Sequence, residues 1–175
     1  MTTRGASSDV TTSPLFSIVD SPIGPLTLVG KAGSLRGLYM ADQRHAPEDR
    51  GASRRDDGAF DDVRAQLDAY FQGELLSFDV GLAMDGTPFR QRVWADLQGI
   101  PYGEVVSYGA LAARIGSPAA ARAVGLANGR NPVSIIVPCH RVIGASGALT
   151  GYGGGLERKQ WLLDHERAVL ARRAG

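Results

Sequence analysis

The chain has 175 residues, enough for one domain or two small ones with a buried core, and its hydrophobic content of 43% is ordinary for a globular protein. No apolar run approaches the roughly 20 residues that a membrane helix needs, the start lacks a secretion signal, and a single cysteine fits a reducing compartment, so we expect a cytoplasmic protein with no membrane partner. The net charge of +1 hides an asymmetry: residues 1–81 carry 8 basic and 12 acidic side chains, whereas residues 82–175 carry 11 and 6, and the basic half indicates a polyanionic partner.

The first 58 residues predict a disordered tail, a small sheet and a loop. Residues 1–13 are small and polar, which is typical of a disordered tail. Alternating hydrophobic residues predict two strands within 15–29, joined by a turn, and a third strand over 35–40. Residues 41–58 are polar and charged and predict an exposed loop.

A helix and a short strand complete the predicted front domain, which we place over residues 14–82. Hydrophobic residues recur at helical spacing over 60–71, and Gly73 ends the helix. Residues 78–82 alternate like a short strand. Together these elements predict a small α/β domain.

The back half predicts several short helices. Thr87 is a good N-cap, and Pro88 suits the first position of a helix. Ser107 caps a second helix that ends at Gly116, and an alanine-rich helix begins at Pro118. Two short helices joined by a tight turn resemble the DNA-binding helix-turn-helix, although an ordinary helical hairpin has the same pattern.

The last third of the chain predicts a strand, a hairpin and a helix. The strand leads into Cys139, and the glycine-rich residues 144–155 then predict a wing-like hairpin and loop. A final helix is expected over 156–168. We place the mostly helical back domain over residues 83–170.

The only cysteine, Cys139, lies in an apolar run between Pro138 and His140. A single thiol can form neither an internal disulfide nor a cysteine-based metal cluster. The adjacent imidazole, with Arg141 beyond it, favours a nucleophile, because a nearby base or cation lowers the pKa of a thiol. A buried packing residue remains the alternative, since free cysteine is among the most buried residue types.

Taken together, these residues resemble the O6-alkylguanine-DNA alkyltransferases. The Pro-Cys-His-Arg run at 138–141 follows Asn131-Pro132 and precedes Tyr152 and the Trp-Leu-Leu-Asp-His-Glu run at 161–166. Ser107-Tyr108, the Ala-Arg-Ala-Val-Gly run at 121–125 and the front segment 20–26 match as well. The resemblance covers roughly residues 15–168. It implies an α+β protein, with a ribonuclease H-like front domain and a winged helix-turn-helix-like back domain.

The resemblance implies a DNA repair reaction that each protein molecule performs once, without a cofactor. An alkyl group would pass from guanine O6, and also from thymine O4, to Cys139. His140 would accept the thiol proton through a bridging water molecule, and Glu166 would orient His140. Tyr108 would donate a proton toward guanine N3, and Asn131 would hold the turn before the reactive residue.

The resemblance also implies a partner, double-stranded DNA bound through its minor groove, with the target nucleotide turned out of the stack. Arg122 would fill the vacated space, and small residues on its helix would allow a close approach. Contacts between protein copies along the DNA are a further expectation. The predicted DNA-binding residues are Arg122, Ala121, Ala123, Gly125 and Arg130, and the predicted pocket wall is Tyr152, Val142, Gly153 and Gly154.

Some features depart from the family pattern or leave alternatives open. Gly153 stands where many members have serine, which removes a hydroxyl near guanine O6 and leaves a backbone N–H as donor. A single cysteine and three histidines argue against the zinc site known in the front half of some members. Arg141 either neutralises a DNA phosphate or supports the reactive segment from inside. The front domain is expected to contribute no catalytic residue.

Two other functions remain open on the sequence. A winged-helix DNA-binding regulator would use the helix pair and merely bury Cys139. A cysteine hydrolase would use Cys139, His140 and Glu166 and would turn over repeatedly, but it leaves the basic half and the helix pair unexplained.

Overall fold

The computed structural model describes residues 13–47 and 53–175, and the predicted tail over residues 1–13 lies outside them apart from Ser13. The strands are β1 (Leu15–Val19), β2 (Leu26–Lys31), β3 (Ser34–Met40), β4 (Arg54–Arg55), β5 (Val106–Ser107) and β6 (Val142–Ile143). The α-helices are α1 (Asp61–Gln72), α2 (Pro88–Leu97), α3 (Tyr108–Arg114), α4 (Ala121–Gly129) and α5 (Leu156–Ala174), and short 3₁₀ helices span Pro118–Ala120 and Cys139–Arg141. The expected α+β fold is confirmed.

The front half forms a four-stranded sheet in the order β3-β2-β1-β4. β1, β2 and β3 make the predicted antiparallel meander. The prediction that 41–58 is entirely loop is wrong, because β4 pairs in parallel with β1 and so extends the edge of the sheet. The Arg54 amide donates to the carbonyl of Pro14, and the Asp56 amide donates to that of Phe16.

Helix α1 buries one face in the same hydrophobic core as β2 and β3, and it ends as predicted. Val63, Leu67 and Tyr70 are its buried residues, and Gly73 follows with a left-handed φ of 78°. The strand predicted over 78–82 is wrong. That segment meets the edge strand β3 at a single parallel bridge, between Leu35 and Leu82, and so does not form a further strand.

The helices of the back half begin where their caps predict. The Thr87 hydroxyl accepts a hydrogen bond from the Arg90 amide at 3.3 Å, and the Ser107 hydroxyl accepts one from the Ala110 amide at 3.0 Å. Trp94 on α2 donates from its indole to the carbonyl of Ala127 on α4, at 2.9 Å. This bond fixes α4 against α2.

The segment before Cys139 is not the predicted strand. Ile135 has a left-handed φ of 72°, and the Val137 amide donates to the carbonyl of Val133, so the backbone turns on itself. Front and back halves meet here, because Leu38 on β3 donates to the carbonyl of Pro132 and accepts from the Ser134 amide. The reactive segment is therefore bonded through its backbone to the front sheet.

The wing-like hairpin predicted over 144–155 is also absent from the described chain. Gly144 donates to the carbonyl of Ala148 and closes one turn, while β6 pairs in parallel with β5 and not with a hairpin partner. Helix α5 extends beyond its predicted end at residue 168, to Ala174. One hydrophobic core joins the two halves. No helix among the described residues is long and apolar enough to cross a lipid bilayer.

Candidate active site

Cys139 begins the short 3₁₀ helix and is only 3% exposed. Burial raises the pKa of its thiol and outweighs the opposing effects of the Asn131 side chain, the Lys159 ammonium and the Tyr152 hydroxyl. Neighbouring groups lower the thiol pKa, as the sequence predicts, but burial prevails and the net shift in the resting protein is upward. The thiol is protonated at rest and needs a base before it can react.

Asn131 closes the turn that carries Cys139. Its side-chain amide donates to the carbonyl of Val137 at 2.8 Å, and its oxygen accepts from the Val133 amide at 3.0 Å. Asn128 on α4, which the sequence did not single out, donates to the carbonyl of Cys139 at 3.3 Å. Two buried amides thus hold the backbone on both sides of the thiol.

His140 and Glu166 are fully buried and in contact, with Nε2 of the imidazole 2.8 Å from Oε1 of the carboxylate. Burial alone would raise the pKa of Glu166, but the hydrogen bonds from His140 and Arg141 and the positive charge of Arg141 prevail and hold it well below its usual range. Because the carboxylate is ionised, Nε2 must carry a proton and donate it. Nδ1 then has the free lone pair, and it has no hydrogen-bond partner among the described residues. Burial lowers the pKa of His140 more than Glu166 raises it, so the imidazole is neutral at rest.

Glu166 also accepts hydrogen bonds from three other parts of the chain. The Tyr70 hydroxyl on α1 donates to Oε1 at 2.8 Å, and the Gly103 amide donates to Oε2 at 2.9 Å. Arg141 donates from Nε to Oε2 at 3.0 Å and from Nη2 to Oε1 at 2.9 Å. The front domain therefore supports the site through Tyr70, which positions Glu166 and does not touch the thiol. That the front domain contributes no catalytic residue stays a prediction.

Arg141 is an internal support and not a phosphate ligand. It is only 6% exposed, and besides Glu166 it donates from Nη1 to the carbonyl of Ile100 at 2.6 Å. The interpretation in which Arg141 neutralises a DNA phosphate is wrong, because its guanidinium is already paired inside the protein.

Lys159 is a site residue that the sequence analysis missed. It is fully buried in the first turn of α5, and its Nζ donates to the carbonyls of Val142 at 2.5 Å and Thr150 at 3.1 Å. Burial lowers the pKa of the ammonium, and the nearby Cys139 opposes this. A lysine at a helix start is ordinarily solvated, so its position in the sequence carries no signal of this role.

Tyr108 lies between the helix pair and the glycine-rich segment. Its hydroxyl donates to the carbonyl of Thr150 at 2.9 Å, and the Lys159 Nζ lies 6.0 Å from the centre of its ring. A Cβ atom built on Gly125 of α4 would lie 3.6 Å from the ring, within ordinary contact. The ring of Tyr108 is thus held against α4 at Gly125, and its hydroxyl is held by the carbonyl of Thr150.

A cavity of about 520 Å³ opens between α4, the glycine-rich segment and the front-domain residues Arg44 and His45. Its wall also includes Tyr108, Ala121, Arg122, Gly125, Leu126, Gly129, Arg130, Thr150, Gly151, Tyr152 and Gly153. No acidic residue is among them, and the exposed arginines Arg122 and Arg130 lie along one side. The cavity is therefore basic at its mouth.

The predicted pocket residues fall into two groups. Tyr152 and Gly153 line the cavity, and the Gly153 carbonyl accepts a hydrogen bond from the Arg44 amide at 2.8 Å. Val142 and Gly154 do not line it: Val142 is buried in β6, and a Cβ on Gly154 would lie 2.3 Å from the Met40 sulfur. Gly154 is thus packed against the front domain and behind the wall.

The Tyr152 hydroxyl connects the cavity to the reactive residue. Burial raises the pKa of this phenol well above its usual value, and the Cys139 thiol adds to the effect. The hydroxyl has no hydrogen bond of ordinary geometry among the described residues. The same part of the chain contains no group of three or more histidine, cysteine, aspartate or glutamate side chains arranged to hold a metal ion.

Comparison with known families matches both halves of the chain in order. Residues 15–84 match the ribonuclease-like domain of 6-O-methylguanine DNA methyltransferase, and residues 88–168 match its DNA-binding domain. The methylated-DNA–protein-cysteine methyltransferase of Mycobacterium tuberculosis H37Rv is 58% identical over 153 residues, which are 87% of this chain and 92% of the relative. That of Methanosarcina acetivorans is 50% identical over 151 residues, which are 86% and 97%.

Comparison with solved structures gives a similar result. The crystal structure of Mycobacterium tuberculosis OGT in complex with DNA superposes with a TM-score of 0.84 at 57% identity, covering 88% of this chain and 93% of that one. With both domains matched in order and relatives more than half identical along nearly their whole length, the chain belongs to the O6-methylguanine-DNA methyltransferase family.

Proposed function

We propose that the protein repairs alkylated DNA by transferring the alkyl group from guanine O6 to the sulfur of Cys139, irreversibly and once per molecule. One observation carries this proposal: a buried thiol adjoins a neutral imidazole whose Nε2 is bonded to the ionised Glu166 and whose Nδ1 is free to take a proton. The relatives are named methylated-DNA–protein-cysteine methyltransferases, and one of them was crystallised with DNA.

The reaction begins with the thiol proton, which passes from Cys139 to Nδ1 of His140 through a bridging water molecule. Glu166 stabilises the imidazolium that results, because it already accepts the Nε2 proton. The Lys159 ammonium stabilises the thiolate during this step, because it is one of the groups that lower the thiol pKa.

The thiolate then attacks the alkyl carbon in line with the bond to O6. A sulfur–carbon bond forms, the carbon–oxygen bond breaks, and its electron pair passes into the guanine ring. Tyr108 donates its phenol proton to guanine N3, so the base leaves neutral, and the proton held by His140 restores the phenol through solvent. The product is a thioether, and reversal would have to expel the Cys139 thiolate from the alkyl carbon. A thiolate is a poor leaving group in such a displacement, and this makes the transfer final.

The partner is double-stranded DNA whose target nucleotide is turned out of the stack. Cys139 is too deeply buried to reach a base inside a duplex, whereas a cavity of about 520 Å³ can admit a single base. Arg122 on the exposed face of α4 and Arg130, directly after the end of that helix, lie beside this cavity. Here α4 would approach the minor groove with Arg122 in the vacated space. This face of α4 also has small residues, which leave room for DNA to come close to the helix: Ala121, Ala123 and Gly125.

Other parts of the function rest on the sequence and the family resemblance. They are the acceptance of O4-alkylthymine, the contacts between copies along DNA and the cytoplasmic location. The front-domain residues beside the cavity, Arg44 and His45, add a wall that the resemblance did not lead us to expect.

The intact mass of the protein tests the proposal directly. After incubation with an excess of duplex containing one O6-methylguanine, we expect the wild type to gain one methyl group, located in the peptide with Cys139. The Cys139→Ser variant should gain none, and an unmodified duplex should leave the wild type unchanged. Transfer by the Cys139→Ser variant, or repeated turnover by the wild type, would contradict a single-use acceptor at this residue.

A further inference from the structure

Leu126 is the most exposed large hydrophobic residue among those that the structure describes, with 70% of its surface accessible. It lies on α4 one turn after Arg122 and one turn before Arg130, and all three line the cavity. Residues four apart share one face of a helix, so the leucine stands between two guanidinium groups in one exposed row.

The other residues near this row make Leu126 project from the helix. Gly125 and Gly129 precede and follow it at cavity-lining positions, and Ala123 is exposed beside Arg122. A large apolar side chain raised above small neighbours and flanked by cations needs a partner with apolar surface between two lines of negative charge. The minor groove of duplex DNA has this arrangement, with sugar and base edges between the phosphates of the two strands.

We propose that Leu126 is a specificity-determining residue that enters the minor groove as an apolar wedge, beside the nucleotide turned into the cavity. This inference rests on the proposed function, because it takes duplex DNA as the partner. Leu126 touches sugar and base edges, holds the groove open next to Arg122, and excludes water from that contact. It does not touch the reacting atoms, so it distinguishes a duplex from a free base and leaves the chemistry unchanged.

The wedge makes three predictions that, taken together, a general loss of structure does not make. Removing it should weaken binding to an undamaged duplex by roughly tenfold, the scale of the apolar surface lost from a buried leucine. It should also leave the salt dependence of binding unchanged, because no phosphate contact is lost. Transfer from a free O6-benzylguanine base should fall less than repair of the duplex, since a free base has no groove and meets Leu126 only as part of the cavity wall.

Leu126→Gln and Leu126→Met are a matched pair for the experiment, because both replace leucine with an unbranched side chain of similar length and only methionine remains apolar. Duplex affinity is measured by fluorescence anisotropy over a series of salt concentrations, and the rate of Cys139 alkylation by mass spectrometry with both substrates. We expect Leu126→Gln to lose about tenfold in duplex affinity, and the rate of duplex repair at low protein concentration to fall with it, while Leu126→Met stays within about twofold of the wild type.

Three outcomes would overturn the wedge: equal duplex affinity for the glutamine variant and the wild type, a reduced salt slope in that variant, or an equal loss with the free base. A failure of the proposed function is distinguishable, because the wild type itself would then transfer no methyl group from the duplex. The affinities of the two variants for undamaged DNA would still report on the wedge in that case.

Discussion

The hydroxyl of Tyr70 lies 2.8 Å from Oε1 of Glu166, so that a helix of the front domain bonds directly to the carboxylate that orients His140. Tyr70 is fully buried, and its pKa is raised well above the usual value, first by burial and then by the charge of Glu166. The phenol therefore remains protonated and donates. The front domain fixes the position of the carboxylate on which the proposed proton transfer depends.

Replacing Tyr70 with phenylalanine should destabilise the protein without disturbing the packing of α1. A hydrogen bond to a buried charged group contributes about 1.5–3 kcal/mol, so the free energy of unfolding in urea should fall by that amount. The control is Tyr39→Phe, because Tyr39 is a half-buried residue of β3 that has no bond to Glu166. This variant should lose less than about 0.5 kcal/mol of the free energy of unfolding. Equal losses in the two variants would show that the bond to Glu166 contributes nothing of its own.

Lys159→Met should make the thiol of Cys139 harder to ionise. The ammonium is one of the groups that lower the thiol pKa, so without it that pKa should rise and the alkaline limb of thiol labelling should move to higher pH. A shift of one pKa unit corresponds to a roughly tenfold slower alkyl transfer near neutral pH. The chain's other lysine, Lys31, is exposed, and Lys31→Met is the matched control. An unmoved limb in Lys159→Met would exclude an electrostatic role for this lysine.

Acid should destabilise the fold in two steps. Burial lowers the folded-state pKa of His140, so the unfolded chain takes up this proton first, and stability is lost as the pH falls below about 6.5. The pKa of Glu166 is also depressed in the folded state, so a second loss follows below about pH 4.3. Unfolding in urea at a series of pH values measures both.

His140→Gln separates the two steps, because glutamine can still donate to Glu166 and does not titrate. In this variant the loss that begins below about pH 6.5 should be largely abolished. The control His45→Gln changes an exposed imidazole whose pKa is also lowered, by desolvation and nearby arginines, and it should retain most of the loss. A loss that persists in His140→Gln would assign the first step to another group.

Salt dependence should separate the exposed arginines of α4 from those elsewhere. If Arg130 neutralises one phosphate, Arg130→Gln should lower the slope of log affinity against log salt by about 0.9. Arg167 on α5 is 57% exposed and lies outside the cavity wall, so Arg167→Gln should keep the wild-type slope. Equal slopes in all three proteins would place the phosphate contacts away from Arg130.

Local sequence signals located the elements well where a few adjacent residues decide the conformation. Thr87 and Ser107 cap helices through their own hydroxyls, and Gly73 ends α1 with a left-handed φ. The antiparallel meander followed from alternating hydrophobic residues. The sequence also identified Cys139, His140 and Glu166 as site residues. The structure shows that His140 and Glu166 are in contact, with 2.8 Å between Nε2 and Oε1.

The errors arose where distant residues decide the structure. Residues 133–138 have the composition of a strand, but the buried Asn131 side chain and the bridge to Leu38 fold them into a turn. No local pattern indicates that Lys159 is buried. Nor does one indicate that the Tyr70 hydroxyl bonds to the carboxylate of Glu166, which lies 96 positions away in the chain. Such contacts depend on how the two domains pack, and a single sequence does not contain that information in local form.

The cavity wall that the front domain supplies is held by the Arg44 amide on the Gly153 carbonyl, which is a bond between backbone atoms. Any residue except proline at position 44 can donate this hydrogen bond. The side chains at positions 44 and 45 can therefore change without loss of the bond. Point mutation at position 44 or 45 can therefore alter the shape and charge of this wall while the bond between the two domains stays intact.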